Sequence, residues 1–191
     1  MVLIRELFQK LFKKDQQAER ILFEMFYNRV YRTAYMITND HYLAEDVVQE
    51  TFEKAFKALH KLKEPEKAGA WLGTIASTTA IDMIRKKKRR NDIATEDVYI
   101  DKEMQKIESD SIVEAAIEEQ FYKEIVRSNI SKLKPEYKQV IILKYIYDMK
   151  DEEIANQLEL KVGTVKSRIY RAKLMLKDSI GSSIDVKEGG L

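Results

Sequence analysis

Three groups of side chains in this sequence have types and spacings that can do chemistry. Asp46, Gln49, Glu50 and Glu53 recur at i, i+3, i+4 and i+7. On a helix that spacing stacks them into one continuous acidic ridge. Arg85, Lys86, Lys87, Lys88, Arg89 and Arg90 form an unbroken cationic run. Cations suit a helix C-terminus, but six in a row repel each other and invite a negatively charged partner. Lys166, Ser167, Arg168, Tyr170 and Arg171 share a segment, Leu160 to Lys177, with six basic residues and no acid. Arg and Lys at such spacing read guanine edges in the major groove, while Ser and Tyr reach phosphate or base.

These groups need rigid helices to aim them, and the sequence is rich in helical period. Apolar residues at 22, 25, 26, 30, 34 and 37 predict a helix over 18–37. A second row, Phe23, Tyr27, Tyr31 and Tyr35, makes it apolar around much of its girth, which predicts burial against two neighbours. Thr38-Asn39-Asp40 ends this helix and offers a cap for the next, which runs from Tyr42 to Leu59. Its inward stripe is Ala44, Val47, Val48, Thr51, Phe52, Ala55, Phe56 and Leu59, opposite the acidic ridge. After a polar connection containing Pro65, the residues Trp71, Leu72, Ile75, Ala76, Ala80, Met83 and Ile84 mark a third helix that runs into the cationic run. Trp71 reads as a core residue or, alternatively, a stacking platform. The start, residues 1–14, reads as a short amphipathic helix. Further helices are expected over 119–132, from Pro135 to Tyr147, from Asp151 to Leu158 and from Val162 to Lys177. Pro135 sits where a first turn tolerates it. A short helix, a three-residue turn at Glu159-Leu160-Lys161 and a longer basic helix make a helix-turn-helix arrangement. The plainer reading of that pair is an amphipathic hairpin with a solvated basic face.

The whole is predicted to be all-α: two small helical domains joined by an acidic flexible linker, the C-terminal one a helix-turn-helix. The expected bounds are 1–90, linker 91–118, 119–178 and a loose tail over 179–191. Charge distribution supports the division. Residues 60–90 hold nine basic and three acidic side chains, whereas 91–120 hold two basic and ten acidic. The whole-chain balance, 34 Lys+Arg against 32 Asp+Glu, hides this alternation.

Composition excludes several classes of function. With no Cys, the chain has no disulfide, thiolate metal site or thiol nucleophile. Its two histidines, His41 and His60, are too isolated for a histidine-based zinc site. Neither GxGxxG nor GxxxxGK[ST] occurs, so no Gly-rich phosphate loop is present. Acids on an exposed ridge lack converging ligands for a metal. The expectation is therefore no enzyme, no metal and no cofactor. The longest aliphatic run, Val140 to Leu143, is far short of a spanning helix, and residues 1–14 have no cleavage site, which predicts a cytoplasmic chain without membrane insertion.

EEIANQLELKVGTVKSRIYRAK resembles the C-terminal promoter-reading motif of extracytoplasmic-function (ECF) sigma factors, the small alternative initiation factors of the bacterial sigma-70 family. YLAEDVVQETFEKAF resembles the family's polymerase-binding helix, and AWLGTIASTTAIDMIRKKKRR its promoter-melting helix. The three occur in the family's order and together span almost the whole chain. The resemblance implies an initiation factor that binds core RNA polymerase and promoter DNA and is held inactive by an anti-sigma factor. It implies that Asp46, Gln49, Glu50 and Glu53 dock on the clamp helices of the polymerase's largest subunit. It implies that the third helix and its preceding loop capture the minus-ten element as single strand, with Lys61, Lys63, Lys67 and Arg85–Arg90 on phosphates. Ser77 and Thr78 stand where members of the family read a flipped base, often with an Asn that this chain lacks. Lys166, Ser167, Arg168, Tyr170 and Arg171 would read the minus-thirty-five duplex.

Two departures from the family pattern bear on the helix-turn-helix. Glu159 replaces the usual Gly in the turn; a non-Gly residue in a left-handed conformation costs roughly 1–2 kcal/mol, so another turn shape is expected. Lys150 replaces the usual Ser cap, leaving Asp148 or Asp151 to cap instead. The acidic linker reads either as a phosphate mimic inside polymerase channels or as a solvated spacer, and in free solution it would let the domains fold onto each other and screen both DNA surfaces. The competing function is a stand-alone helix-turn-helix repressor or activator.

Overall fold

A computed structural model describes residues 2–91 and 128–188. Among them there are only helices and their connections: α1 (Val2–Phe12), α2 (Gln16–Thr38), α3 (His41–Ala58), α4 (Ala68–Asn91), α5 (Pro135–Tyr145), α6 (Asp151–Gln157) and α7 (Val162–Glu188). The expected linker beyond Asn91, and the part of the 119–132 helix before residue 128, lie outside the described residues; 128–131 is helical.

Local chemistry sets the boundaries. Asp15 caps α2 by accepting from the Gln17 and Ala18 N–H groups at 2.9 and 3.3 Å. Asn39 ends α2 with φ 53°, a left-handed conformation that Asn tolerates. Asp40 then caps α3, accepting from Leu43 N–H at 3.0 Å. Two 3₁₀ turns, Leu59–Lys61 and Pro65–Lys67, carry the chain into α4.

α2, α3 and α4 pack on one another around Val30, Val48, Phe52, Ala55, Leu72 and Ala76. α1 lays Leu7, Phe8 and Leu11 onto Ala18, Leu22, Leu59, Leu62 and Ala68. Trp71 is half-buried between these two clusters, so it packs in the N-terminal core. α2 packs against α3 and α4 as expected, but its aromatic row is only partly buried. Phe23, Tyr27, Tyr31 and Tyr35 form a ladder at the α2–α3 rim, with centroids 5.4, 6.2 and 6.2 Å apart. Polar tips explain the position of two of them: Tyr27 Oη donates to Glu45, and Tyr31 Oη bonds His41 Nδ1.

α6 and α7 meet at a sharp turn. Leu160 N–H bonds the Ala155 carbonyl at 2.9 Å across Glu159, which has φ 54°. The expected change of turn shape is therefore corrected: Glu159 adopts the left-handed conformation. The 6→1 hydrogen bond and the Leu160 side chain, packed into the same cluster as Ala155, offset its strain. Neither Asp148 nor Asp151 caps α6. Glu153 accepts from Lys150 N–H at 2.9 Å, half of a capping box, while Asp151 pairs with Lys144 at 2.8 Å. In the segment expected to be a loose tail, α7 continues to Glu188, and residues 189–191 lie outside the described residues. No Pro interrupts it, and extending an existing helix by a residue avoids the cost of nucleation.

The two sets of helices are packed together. Val140, Ile141, Ile142 and Leu143 are all buried, because α5 lies between α6–α7 on one side and α2–α4 on the other. Ala34, Ile37, Ala44, Val47, Ala80 and Ile81 join them in one cluster with Leu133, Tyr147 and Met149. None of the described helices is long and apolar enough to cross a membrane.

Candidate nucleic-acid and protein interfaces

The ridge of α3 is aimed by the opposite face of the same helix, where Ala44, Val47, Val48, Thr51 and Ala55 are buried. Asp46, Gln49 and Glu53 are exposed. Glu50 is half-buried and pairs with Lys54 at 2.7 Å, and Lys54 also donates to Thr79 at 3.1 Å. The ridge thus presents two unneutralised carboxylates and an amide, with Glu50 held against α4. Tyr42, 84 % exposed, extends the same stripe by one turn. The periodicity did not single it out, because an exposed aromatic at a helix start resembles a core residue in sequence.

The cations of the expected minus-ten surface differ in availability. Lys61 and Lys63 are exposed on the connection before α4. Lys67 is held by Glu64 at 3.3 Å and by Glu153 of α6 at 3.2 Å. Those carboxylates raise its pKa. Arg85 pairs with Glu136 of α5 at 3.2 Å. Burial pushes the Glu136 carboxyl up, but its own backbone N–H, Arg85 and Arg168 outweigh that and leave it below the usual range. Lys87 pairs with Asp40 at 2.8 Å, and Arg89 donates to the Arg85 carbonyl at 3.4 Å. Lys86, Lys88 and Arg90 are exposed.

Ser77 and Thr78 are separated by burial. Ser77 is completely buried, donates to the Thr74 carbonyl at 3.0 Å and accepts from Gln139 Nε2 at 3.2 Å. In this arrangement Ser77 is not open to a base, because α5 lies over it. Thr78 is exposed, although Gln139 Nε2 also donates to its hydroxyl at 3.3 Å.

The recognition helix is α7. Val165, Ile169 and Ala172 are buried, which turns Lys166, Ser167, Tyr170 and Arg171 outward; Tyr170 is 64 % exposed. Arg168 is half-buried and acts on Glu136. Folding of the two halves together therefore screens the α4 face and leaves the α7 face open, rather than covering both.

The residues that sequence reasoning missed line the seam between the halves. Tyr147 Oη and Thr33 Oγ1 share a buried hydrogen bond of 2.8 Å. Arg29 lies over the Tyr147 ring, 4.4 Å from its centroid, and donates to the Ile146 carbonyl at 3.1 Å. Lys138 donates to the Ile37 carbonyl at 3.2 Å, and burial lowers its pKa to about 8. A Cβ at Gly73 would lie 2.3 Å from Tyr147 Cζ, so only glycine fits there. That glycine was the one signal in the sequence: inside a helical pattern it costs ~1 kcal/mol against Ala and implies a close approach. Among the described residues no group of acids and histidines has the arrangement of a metal site.

Comparison with known proteins identifies the family. Residues 22–90 match the family model "Sigma-70 region 2", and residues 123–176 match "Sigma-70, region 4". ECF RNA polymerase sigma factor SigW of Bacillus subtilis is 30 % identical, over 94 % of this chain and 97 % of its own length. ECF RNA polymerase sigma factor SigM of the same organism is 28 % identical, over 82 % of this chain and 91 % of its own length. Similar solved structures include CnrH in complex with the cytosolic domain of CnrY, with TM-score 0.58, 23 % identity and coverage of 93 % and 97 %. RpoE from Bartonella quintana, solved with the anti-sigma factor NepR, gives 0.59 at 23 % identity, covering 85 % and 96 %. These two share the fold. The chain belongs to the ECF group of the sigma-70 family and is an RNA polymerase sigma factor.

Proposed function

We propose that the chain divides its work by residue as follows. Residues 1–90 form the unit that docks on core polymerase and captures the minus-ten element, and 119–178 form the unit that reads the minus-thirty-five duplex. Asp46, Gln49, Glu50 and Glu53 meet a basic helical surface, the clamp helices of the largest subunit. The observation that carries this reading is the exposure of Asp46, Gln49 and Glu53 on a helix whose other face is wholly packed. Such a helix fixes the spacing of the backbone positions that carry these side chains, which suits it to setting register with a cationic partner.

Lys166, Ser167, Arg168, Tyr170 and Arg171 enter a major groove, with Lys and Arg positioning on phosphate and base-edge contacts specifying. Lys61, Lys63, Lys67 and Arg85–Arg90 track the phosphates of the melted strand, and Thr78 reads a base there. Ser77 joins it only after α5 has moved away. The protein acts in the cytoplasm as an initiation factor and catalyses nothing itself. An anti-sigma factor holds it inactive; the likeness in fold to RpoE solved with NepR supports this.

A stand-alone repressor or activator would use α7 and leave the α3 ridge without a task. The test is a pull-down with core polymerase followed by a gel shift and run-off transcription. The chain should bind core, and should shift a promoter well only when core is present. A strong shift by the chain alone, with no retention on core, would replace this reading with the repressor.

A further inference from the structure

Of the four ridge residues only Glu50 is half-buried, and the side chain that holds it lies outside the set assigned to docking. Lys54 follows Glu50 by one turn of α3 and pairs with its Oε1 at 2.7 Å, with Glu before Lys, the order that a helix favours. On an open helix face such a pair leaves both side chains free to rotate and contributes little. Here the ammonium has a second anchor. Lys54 Nζ also donates to Thr79 Oγ1 at 3.1 Å, and Thr79 is on α4 with 1 % of its surface exposed. Because α3 and α4 pack directly on each other, that hydroxyl is fixed relative to the ridge. Two polar contacts therefore run from the docking ridge to the residue beside Thr78, the hydroxyl assigned above to a minus-ten base.

We propose that Lys54 is a positioning residue for assembly with core polymerase: anchored on Thr79 of α4, it holds the Glu50 carboxylate in one place for the polymerase's cationic surface. The inference rests on the docking role of the ridge. A carboxylate has two acceptor oxygens, and Lys54 takes Oε1, which leaves Oε2 for a partner. A glutamate that is already held loses less rotamer freedom on binding, and that saving is worth about fivefold in affinity. The charge of Lys54 opposes this, because it repels the same cationic partner. That repulsion acts through water and salt in a half-exposed pair, and is screened. Restraint of Glu50 therefore outweighs repulsion, and loss of Lys54 weakens docking even though it makes the ridge more acidic.

The test is a calorimetric titration of the full chain with core polymerase, with circular dichroism as the check on the fold. Lys54→Met should weaken binding about fivefold. Lys54→Arg keeps a cation that can reach both partners and should recover most of that loss. Thr79→Val leaves the Lys54 charge in place and removes only its anchor, so it should weaken binding too, by about twofold. In a Glu50→Gln background, which is itself weakened, Lys54→Met should cause no further loss, because the group it positions is gone. An equal loss in both backgrounds means that Lys54 acts other than through Glu50. Tighter binding by Lys54→Met means that it masks the ridge instead of ordering it. Either result overturns the proposal. So does unchanged binding by Lys54→Met or by Thr79→Val while Glu50→Gln and Asp46→Asn weaken it, and the docking role then stands without a positioning residue. If Glu50→Gln and Asp46→Asn leave affinity unchanged, the docking role fails and the proposal with it.

Discussion

Raising the pH from 7 to 9 should tighten the contact between the two halves, because of Lys138. Its side chain is 3 % exposed, and its Nζ donates to Ile37 across the seam. Burial lowers its pKa from 10.5 to about 8. When the halves part, water returns and so does the ordinary value. Below pH 8 the amine is charged in both states, and closure carries the full desolvation cost, about 3 kcal/mol for a shift of this size. Between about 8 and 10.5 the closed form sheds the proton that the open form keeps, so the cost shrinks as pH rises. From pH 7 to 9 the closed population should gain roughly tenfold over the open one. Tyr147, whose pKa burial raises, stays neutral across that window.

Because the chain has no cysteine, Asn28→Cys and Lys177→Cys give unique positions for a fluorescent donor and acceptor, one on each half. Transfer efficiency should rise from pH 7 to 9 in the labelled protein and stay flat when Lys138→Met is added. Met removes the titrating group and its desolvation cost of about 3 kcal/mol, which exceeds the roughly 1 kcal/mol lost with the hydrogen bond to Ile37, so the variant should close at least as tightly at pH 7. A wild-type signal that does not change with pH, or an equal slope in Lys138→Met, refutes the reasoning.

Gln49→Lys or Glu50→Lys should abolish retention on core polymerase while circular dichroism stays unchanged; unaltered retention would remove the docking role. Arg171→Ala should weaken promoter binding by the polymerase complex by ~1–3 kcal/mol if it reads a base. An equal loss on native and altered minus-thirty-five elements would make it a phosphate contact. Glu159→Gly relieves a left-handed non-Gly residue and should raise the stability of the full chain by up to ~1 kcal/mol, read as a higher urea midpoint with an unchanged slope. Asp40→Ala should cost ~1 kcal/mol through loss of the α3 cap. Burial raises the Asp40 pKa, but the Leu43 N–H and Lys87 outweigh this and lower it. Its contribution is therefore present above the ordinary carboxylate range and lost as pH falls through the lowered value, and Asp40→Ala should be less sensitive to acid there.

Helix positions were legible because apolar period, capping residues and Pro135 are local signals. Asp40 could be read as a cap before any coordinates, since the capping oxygen and the amide it accepts from are three residues apart. The aromatic row of α2 misled: Tyr has an apolar body and a polar tip, and period alone does not tell a core position from a rim. The turn at Glu159 misled in the other direction. Strain at one residue was legible, but the Leu160–Ala155 bond and the packing that offset it were not.

The candidate surfaces divide in the same way. The α3 ridge and the α7 face follow from spacing on a single helix, and both were readable as lists of residues. The state of Lys67, Arg85 and Ser77 was not, because Glu153, Glu136 and Gln139 come from helices far along the chain.

What the sequence determined by itself was the all-α class, the cationic and acidic faces and the family, since each depends on residues within a few turns of one another. What only the tertiary structure decided was which faces are open. Contacts between Gly73 and Tyr147, or between Ile37 and Lys138, join residues 74 and 101 positions apart, and no periodicity spans such distances. Whether a charged side chain meets solvent, a partner or a carboxylate of its own chain depends on how separate helices pack, and that packing is a property of the whole core.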